Sequence, residues 1–92
     1  MTPEELLDHV NDRDSFVAFV EALAADRQRA EAMERADPVG YQLGGALGWQ
    51  NGDISGFLSA ALNCFDHPEN RAATESSWRL FAEFLYFGKI YE

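Results

Sequence analysis

Two Asp-His pairs are the first residues of this sequence that could do chemistry. Asp8-His9 lies near the start of the chain, and Asp66-His67 is followed two residues later by Glu69. Imidazole and carboxylate groups bind metals and transfer protons, so Asp66, His67 and Glu69 (the histidine loop) form a candidate ligand or catalytic cluster. Adjacent side chains rarely aim at one point, however, and no further ligand follows at a recognisable spacing. We therefore favour a surface loop and predict no catalytic residue, metal or cofactor.

Glycines are concentrated in one part of the chain, where six of the seven lie between Gly40 and Gly56. Their spacing does not match the G-x-G-x-x-G of dinucleotide-binding folds, and no Lys-Ser or Lys-Thr pair follows to make a P-loop. We interpret residues 40–49 (the glycine loop) as a connector that turns tightly and packs closely. The alternative is that the glycine loop and the histidine loop together form a ligand site.

The single cysteine and the aromatic residues have a structural and a functional interpretation. Cys64 falls on the apolar face of a predicted helix, so we interpret it as a small core residue rather than a nucleophile. Aromatic residues make up 13% of the chain, which fills a core and still leaves material for one exposed patch. The candidate contacts to a partner or ligand are Tyr41, Trp49, Asn51, His67 and Glu69.

Composition narrows the classes of partner. Seven basic and sixteen acidic residues give a net charge of −9, which repels nucleic acids and anionic lipid and attracts a basic protein or a cation. We therefore predict no nucleic-acid or membrane partner. The one cysteine cannot form an intramolecular disulfide, and the first residues do not resemble a signal peptide, so we expect a cytoplasmic protein. No apolar run reaches the length of about 18 residues that a membrane span needs.

The first two helices are predicted from capping residues and apolar spacing. Thr2 and Glu5 form a capping box that starts a short N-terminal helix. A second helix should begin near Asp12, with an apolar face that repeats every three or four residues: Phe16, Val17, Phe19, Val20, Leu23 and Ala24. Residues 26–35 alternate alanine with charge, so we expect a solvated extension or a separate surface helix, ending at Asp37 before Pro38.

The third helix should be the one around which the chain is organised. Asp53 is its predicted N-cap, and no other charged residue occurs from Val39 to Phe65. Its apolar face consists of Ile54, Phe57, Leu58, Ala61, Leu62 and Phe65. We expect this face to be buried and the other helices to pack on it.

The last helix should begin at Thr74 and end at a Gly88 C-cap, with Lys89 near its negative end. Ile90 and Tyr91 should then pack back on the core. The sequence thus predicts one all-α domain over residues 1–92. It is a small bundle of three principal helices with a short N-terminal helix and a Gly-rich connector.

The two most distinctive stretches resemble a family of small acidic bacterial proteins known as a domain of unknown function. The matching motifs are Trp49-x-Asn51, Ile54-x-x-Phe57-Leu58-x-Ala60, Ser77-Trp78-Arg79-x-Phe81-Ala82 and Lys89-Ile90-Tyr91-Glu92. The resemblance covers roughly residues 6–23 and 49–92. The second tryptophan of the family is replaced here by Cys64-Phe65, and residues 26–48 form a longer segment than usual. No catalytic residues come with the resemblance.

Three functional hypotheses follow. The preferred one is a non-enzymatic protein-binding module, an immunity or antitoxin-like partner that neutralises a basic protein by charge complementarity. The second is a small-molecule-binding protein or enzyme that uses the glycine loop and the histidine loop. The third is a homo-oligomeric structural protein, at its simplest a homodimer, whose apolar C-terminal helix packs against its twin.

Overall fold

A computed structural model of the protein describes residues 1–70 and 77–91. Its α-helices are α1 (Pro3–Leu7), α2 (Arg13–Ala36), α3 (Ile54–Phe65) and α4 (Trp78–Ile90), with a short 3-10 turn at Ala46–Gly48 between α2 and α3. No β-strand occurs in the described part of the chain. The predicted all-α class and small bundle are therefore confirmed.

Each α-helix begins at a side chain that caps its first free N–H groups. The caps are Thr2 with Glu5, Asp12 with Ser15, Asp53 and Ser77. The Asp53 carboxylate accepts a hydrogen bond from the Gly56 N–H at 2.6 Å, and the Ser77 hydroxyl accepts one from Leu80 N–H at 3.0 Å. The predicted starts at Thr2, Asp12 and Asp53 are confirmed. The predicted start of the last helix at Thr74 lies outside the described residues, and α4 begins at Trp78.

The charged segment after Leu23 continues α2 without a break, so α2 is one helix of 24 residues that ends just before Asp37. Its predicted exposure is wrong for two residues, because Asp26 is 6% exposed and Ala30 is fully buried. Both follow Phe19 and Leu23 at steps of three and four, so they extend the same buried face. Neither residue is a large apolar one, and the sequence pattern therefore did not reveal the burial.

The helix at the centre of the fold is α4, and it runs parallel to α2. Near their starts, the Phe16 ring of α2 contacts the Trp78 ring of α4 with 5.2 Å between centroids. At the end of α4, the Lys89 ammonium lies 2.8 Å from the carboxylate of Asp26, which is in the middle of α2. The two helices are therefore in contact along α4 and the first half of α2, and the second half of α2 extends beyond α4.

On its other side α4 packs against α3, which runs antiparallel to it. The rings of Phe65 and Phe84 meet edge to face at 5.5 Å between centroids, and Phe57 lies against Gly88. The expectation that the other helices pack on α3 is wrong, because α4 is the helix that contacts α1, α2 and α3. In α3 only Ala60 and Ala61 are buried.

The core combines alanines with larger side chains, among which Phe19 is fully buried. The buried cluster consists of Val10, Phe19, Leu23, Ala30, Ala46, Trp49 and Ala82. The prediction that Ile90 packs back on this core is wrong, because Ile90 is the last residue of α4 and 42% exposed. Tyr91 is half-buried.

Gly88 is not the predicted C-cap but lies inside α4, in its last turn. The Phe57 ring of α3 lies against it, so that a Cβ atom at this position would sit 2.7 Å from ring carbons. Glycine is needed here because α3 approaches the α4 backbone too closely for any side chain.

We expect Gly88→Ala to destabilise the fold by about 1–3 kcal/mol, because the new methyl group displaces the Phe57 ring. This loss outweighs the gain of about 1 kcal/mol that alanine brings to a helix interior. Urea denaturation measures the change in the free energy of unfolding. Gly44→Ala is the matched control, since a Cβ at Gly44 meets no atom within 4 Å. A Gly88→Ala variant as stable as the control would contradict this account of the α3–α4 contact.

Candidate interaction groove between α2 and α3

A buried ionic network holds the C-terminal end of α4 against α2 and α1. The Asp26 carboxylate accepts hydrogen bonds from the Lys89 ammonium at 2.8 Å and from the Trp49 indole N–H at 2.9 Å. Lys89 also donates to Glu4 of α1 at 2.8 Å. Lys89 is 1% exposed and Trp49 is 4% exposed, so one carboxylate joins two buried donors from distant parts of the chain.

The two charged partners shift one another's protonation. Desolvation raises the pKa of Asp26, but hydrogen bonds from Lys89 and Trp49 together with the nearby positive charges outweigh it, and the pKa lies below its ordinary value. Desolvation lowers the pKa of Lys89, but the hydrogen bonds and charges of Asp26 and Glu4 raise it above its ordinary value. The pair is therefore ionised at neutral pH.

A second network fixes the glycine loop over the same tryptophan. The Arg27 guanidinium forms two hydrogen bonds with the Glu34 carboxylate, at 3.1 and 2.9 Å, and Glu34 also accepts the Ala46 N–H at 3.0 Å. Hydrogen bonding from Arg27 lowers the pKa of Glu34. The Arg27 guanidinium lies 5.4 Å and the Lys89 ammonium 5.5 Å from the centroid of the Trp49 ring, so the indole contacts two cations.

The turn before Trp49 has a left-handed backbone at Leu47 (φ 57°) and Gly48 (φ 85°). A left-handed leucine is strained, and it persists only where the surroundings determine it. Here the determinants are the buried indole on one side and a Gly45 N–H to Trp49 carbonyl hydrogen bond of 2.8 Å on the other. The backbone turn of the glycine loop thus holds the Trp49 side chain in the core.

The predicted contact residues have separate positions. Trp49 is buried, and the Asn51 side-chain amide donates to the carbonyls of Gly88 at 3.0 Å and Tyr91 at 2.6 Å. Asn51 therefore fastens the start of α3 to the end of α4. Tyr41 is half-buried and lines a polar cleft of about 280 Å³ beside the glycine loop, together with Arg27 and Glu34.

His67 and Glu69 are exposed in the turn after α3, where the Glu69 N–H donates to His67 Nδ1 at 3.3 Å. The glycine loop precedes α3, and twelve helical residues separate the two loops, which corresponds to about 18 Å. The structure does not bring the glycine loop and the histidine loop into one site. In residues 1–70 and 77–91, no three His, Cys, Asp or Glu side chains are grouped to hold a metal ion.

Cys64 lies in the last turn of α3 and is half-buried. Burial raises the pKa of its thiol, which keeps the group protonated and unreactive at neutral pH. Its carbonyl accepts a hydrogen bond from the Asn70 side chain at 2.7 Å. This position agrees with a structural role for the residue.

A groove opens between α2 and α3, since both helices pack on α4 and make little contact with each other. It contains a mostly apolar cavity of about 430 Å³ (the tryptophan cavity), with Trp49 and Phe57 among the residues around it. The cavity is lined by Arg27, Glu31, Trp49, Asn51, Gly52, Asp53, Ile54, Phe57 and Leu58. Volumes of this size accept a large side chain or a small ligand.

An apolar stripe continues the groove along α3. Ile54 is 80% exposed, Leu58 is 46% exposed and Leu62 is 59% exposed, and their spacing of four residues places them on consecutive turns. The stripe leads to a second apolar cavity of about 270 Å³ (the phenylalanine cavity) between α3 and α4, which is lined by Leu62, Phe65, Leu80, Phe81 and Phe84. The Phe81 ring of this cavity also contacts the Phe16 ring of α2, with 6.4 Å between centroids. The expectation that this face of α3 is buried is therefore wrong for three of its six apolar residues.

The charge around the groove is acidic. Among the residues that line the tryptophan cavity, Arg27 is the one cation, and it is paired with two carboxylates, Glu34 through two hydrogen bonds and Glu31 at 3.5 Å. Glu31 and Asp53 line the same cavity and carry negative charge. The phenylalanine cavity has no charged lining. The groove therefore has one acidic end and one fully apolar end.

We expect Lys89→Met to destabilise the protein by about 3 kcal/mol, because it leaves the Asp26 carboxylate buried without its main cation. The double variant Asp26→Asn/Lys89→Met should regain part of this loss, since an asparagine oxygen still accepts the Trp49 N–H. The control is Arg29→Met, which removes an ion pair of 3.5 Å to the same carboxylate from a side chain that is 65% exposed. That control should change stability by less than about 1 kcal/mol. Equal losses for Lys89→Met and Arg29→Met in urea denaturation would contradict the burial argument.

The free energy of unfolding should depend on pH through the ionisation of Asp26 and Lys89. Because the pKa of Asp26 is lowered from 3.8, its contribution is present above that value and is lost as the pH falls through the folded-state pKa. Because the pKa of Lys89 is raised from 10.5, its contribution is present below that value and is lost as the pH rises through the folded-state pKa. The stability difference between wild type and Asp26→Asn/Lys89→Met should therefore be constant at intermediate pH and change at both extremes. A difference that changed between pH 5 and 9 would indicate another titrating group.

Comparisons with known proteins give this site no precedent. No model of a known protein family matches the chain, and neither the curated proteins nor the solved structures contain a match. The resemblance to small acidic bacterial proteins thus stays a prediction. No α-helix in the described ranges combines the length and hydropathy required to cross a membrane.

Proposed function

We propose that this protein is a non-enzymatic protein-binding module that receives a basic protein in the groove between α2 and α3. One observation carries the proposal. Ile54, Leu58 and Leu62 are 80%, 46% and 59% exposed on one stripe of α3, between two apolar cavities.

The energetic argument starts from the water that contacts this stripe. Removing apolar surface from water is favourable by roughly 25 cal/mol per Å², and exposed apolar patches on soluble proteins commonly mark binding sites. Cavities at both ends of the stripe favour binding further, because buried anchor side chains in well-shaped pockets supply most of the affinity of protein interfaces.

Charge defines the partner. The chain has a net charge of −9, and Glu31 and Asp53 line the tryptophan cavity. This field attracts a basic surface and accelerates its association. The pairing is of the kind by which an immunity or antitoxin protein neutralises a basic target. We infer a cytoplasmic setting, because the one cysteine is a protonated, half-buried thiol that suits a reducing compartment.

A second candidate function is small-molecule binding in the tryptophan cavity, whose volume of about 430 Å³ lies in the range of ligand sites. This candidate does not involve the histidine loop, which lies at the other end of α3. Homo-oligomerisation through α4 has less support, because α4 packs against α2 on one side and α3 on the other.

The test is affinity capture with two baits, the wild-type protein and the variant Leu58→Ser/Leu62→Ser. Any captured protein is identified by mass spectrometry and purified, and its Kd for both baits is measured by calorimetry. We expect a basic partner whose Kd rises about tenfold or more with the variant, because two exposed leucines lose their burial at the interface. The Kd should also rise with salt.

The matched control is Val39→Ser/Leu43→Ser, which removes two apolar side chains that are 74% and 102% exposed but lie outside the groove. It should bind the partner as wild type does. A partner that binds all three proteins equally, or an acidic partner that is insensitive to salt, would overturn the proposal. Tight binding of a small molecule without any protein partner would favour the second candidate.

A further inference from the structure

The groove has the form of a helix bundle with one member missing. α2 and α3 both lie along α4, in opposite directions, and a gap remains between them. Resting on the protein-binding function proposed above, we infer that the occupant of this gap is an amphipathic α-helix of the basic partner. Bound there, it would contact α2, α3 and the α4 residues that line the phenylalanine cavity, and it would complete a four-helix arrangement.

Both walls of the gap suit a helix. On α3 the wall is the stripe of Ile54, Leu58 and Leu62. On α2, Arg27 and Glu31 line the tryptophan cavity, and the preceding turns of that face carry Ala24, Val20 and Val17. Ala24 is exposed, Val20 is half-buried and Val17 is 36% exposed, so the α2 wall continues with small or apolar side chains. Small residues let a neighbouring helix approach to the usual interaxial distance of about 8–10 Å.

An extended segment fits this groove less well than a helix. The described residues contain no β-strand and therefore no sheet edge with which a bound strand could pair. Its N–H and C=O groups would face apolar walls without partners, which is unfavourable. A helix satisfies these groups internally and presents only side chains.

The distance between the two cavities determines the spacing of the side chains with which a bound helix would enter them (the anchors). The tryptophan cavity contacts α3 at Ile54, Phe57 and Leu58, and the phenylalanine cavity contacts it at Leu62 and Phe65. The centres of these two sets lie about seven residues apart on α3, or about 10–11 Å along its axis. A bound helix that runs alongside α3 reaches both cavities with side chains at positions i and i+7, which share one face.

The charges fix the orientation. Glu31 and Asp53 lie at the tryptophan cavity, whereas the phenylalanine cavity is lined only by apolar residues. The bound helix should therefore carry Lys or Arg beside the anchor that enters the tryptophan cavity. A second copy of this chain is a poor occupant, because each copy has a net charge of −9 and would bring acidic residues to an acidic rim.

The experiment uses three fluorescent synthetic peptides of about 18 residues, which have the same net positive charge. The first carries two Phe anchors seven residues apart, with Lys beside one anchor. The second has the same composition with the anchors five residues apart, which places them on opposite sides of a helix. The third equals the first except for a central proline that prevents helix formation. Kd values are measured by fluorescence anisotropy at low and moderate salt.

We expect the first peptide to bind at least about tenfold more tightly than the second and the third, with Leu58→Ser/Leu62→Ser removing this preference and Val39→Ser/Leu43→Ser retaining it. Salt should weaken all three peptides but preserve the order. Replacing this Lys by Gln should weaken the first peptide in wild type and weaken it less in Glu31→Gln, in which Asp53 is the acidic residue that remains at the tryptophan cavity.

Several outcomes would overturn the inference. Equal binding of the first and second peptides, or no peptide binding, would show that no helix with this spacing is recognised. Tight binding of the proline peptide would indicate an extended occupant. A dimer in light scattering that Leu58→Ser/Leu62→Ser dissociates would identify a second copy as the occupant. The protein-binding function itself fails only in the capture experiment, when no basic partner depends on the groove, so the two failures are distinguishable.

Discussion

The buried carboxylate of Asp26 is the group on which the rest of the structure depends. It receives the Lys89 ammonium from α4 and the Trp49 indole from the connector, and Lys89 in turn reaches Glu4 of α1. A single oxygen, Asp26 Oδ2, accepts both hydrogen bonds. Three distant parts of the chain are therefore positioned by one charge, and burial makes any imperfect partner unfavourable. The network favours this one register of helix packing, because helices in other registers would leave the carboxylate unpaired.

This arrangement also explains why the groove stays open. The polar end of the bundle is fastened by ion pairs and by the Asn51 hydrogen bonds, so α3 is fixed to α4 without needing contact with α2. In α3 the buried residues are two alanines, Ala60 and Ala61, so no large, fully buried side chain of α3 draws this helix toward α2. A surface that would otherwise close by hydrophobic packing remains accessible, and its apolar residues are available to a partner.

The sequence was sufficient to predict where the helices begin, but it was not sufficient to predict which face of each helix is buried. Caps such as Asp53 are local, because a side chain and a backbone N–H three residues later decide them, and they were predicted correctly. The stripe of α3 was misjudged because no charged residue lies between Asp53 and Asp66. Ser55, Ser59 and Asn63 mark only a narrow polar stripe, so periodicity alone could not tell which apolar side meets α4 and which meets water.

Contacts between residues that are far apart in the chain also could not be predicted from the sequence. Lys89 at the end of a helix has an obvious local explanation in the helix dipole, and nothing nearby indicates that its partner is Asp26. Gly88 likewise has the position of a C-cap, and only the approach of Phe57 shows why a side chain is excluded. For the candidate site, Trp49 and Asn51 were recognised as special residues, but as contacts rather than as the supports that shape the groove. Nothing in the sequence indicated that Leu58, Leu62 and Phe81 lie at the surface, where they are 46%, 59% and 45% exposed.

The contacts between α2 and α4 join residues that are far apart in the chain, and this separation has a consequence for biosynthesis. The N-terminal helices leave the ribosome first, yet the cation that neutralises Asp26 and the helix that covers Phe16 arrive 63 and 62 residues later. Until then, the buried face of α2 has no α4 to cover it, and loop closure over this separation must precede the stabilising contacts. The nascent chain therefore passes through a stage in which the Phe16 ring lacks the Trp78 and Phe81 rings that contact it. A chaperone that shields apolar helices would act in that interval, before residue 89 has emerged.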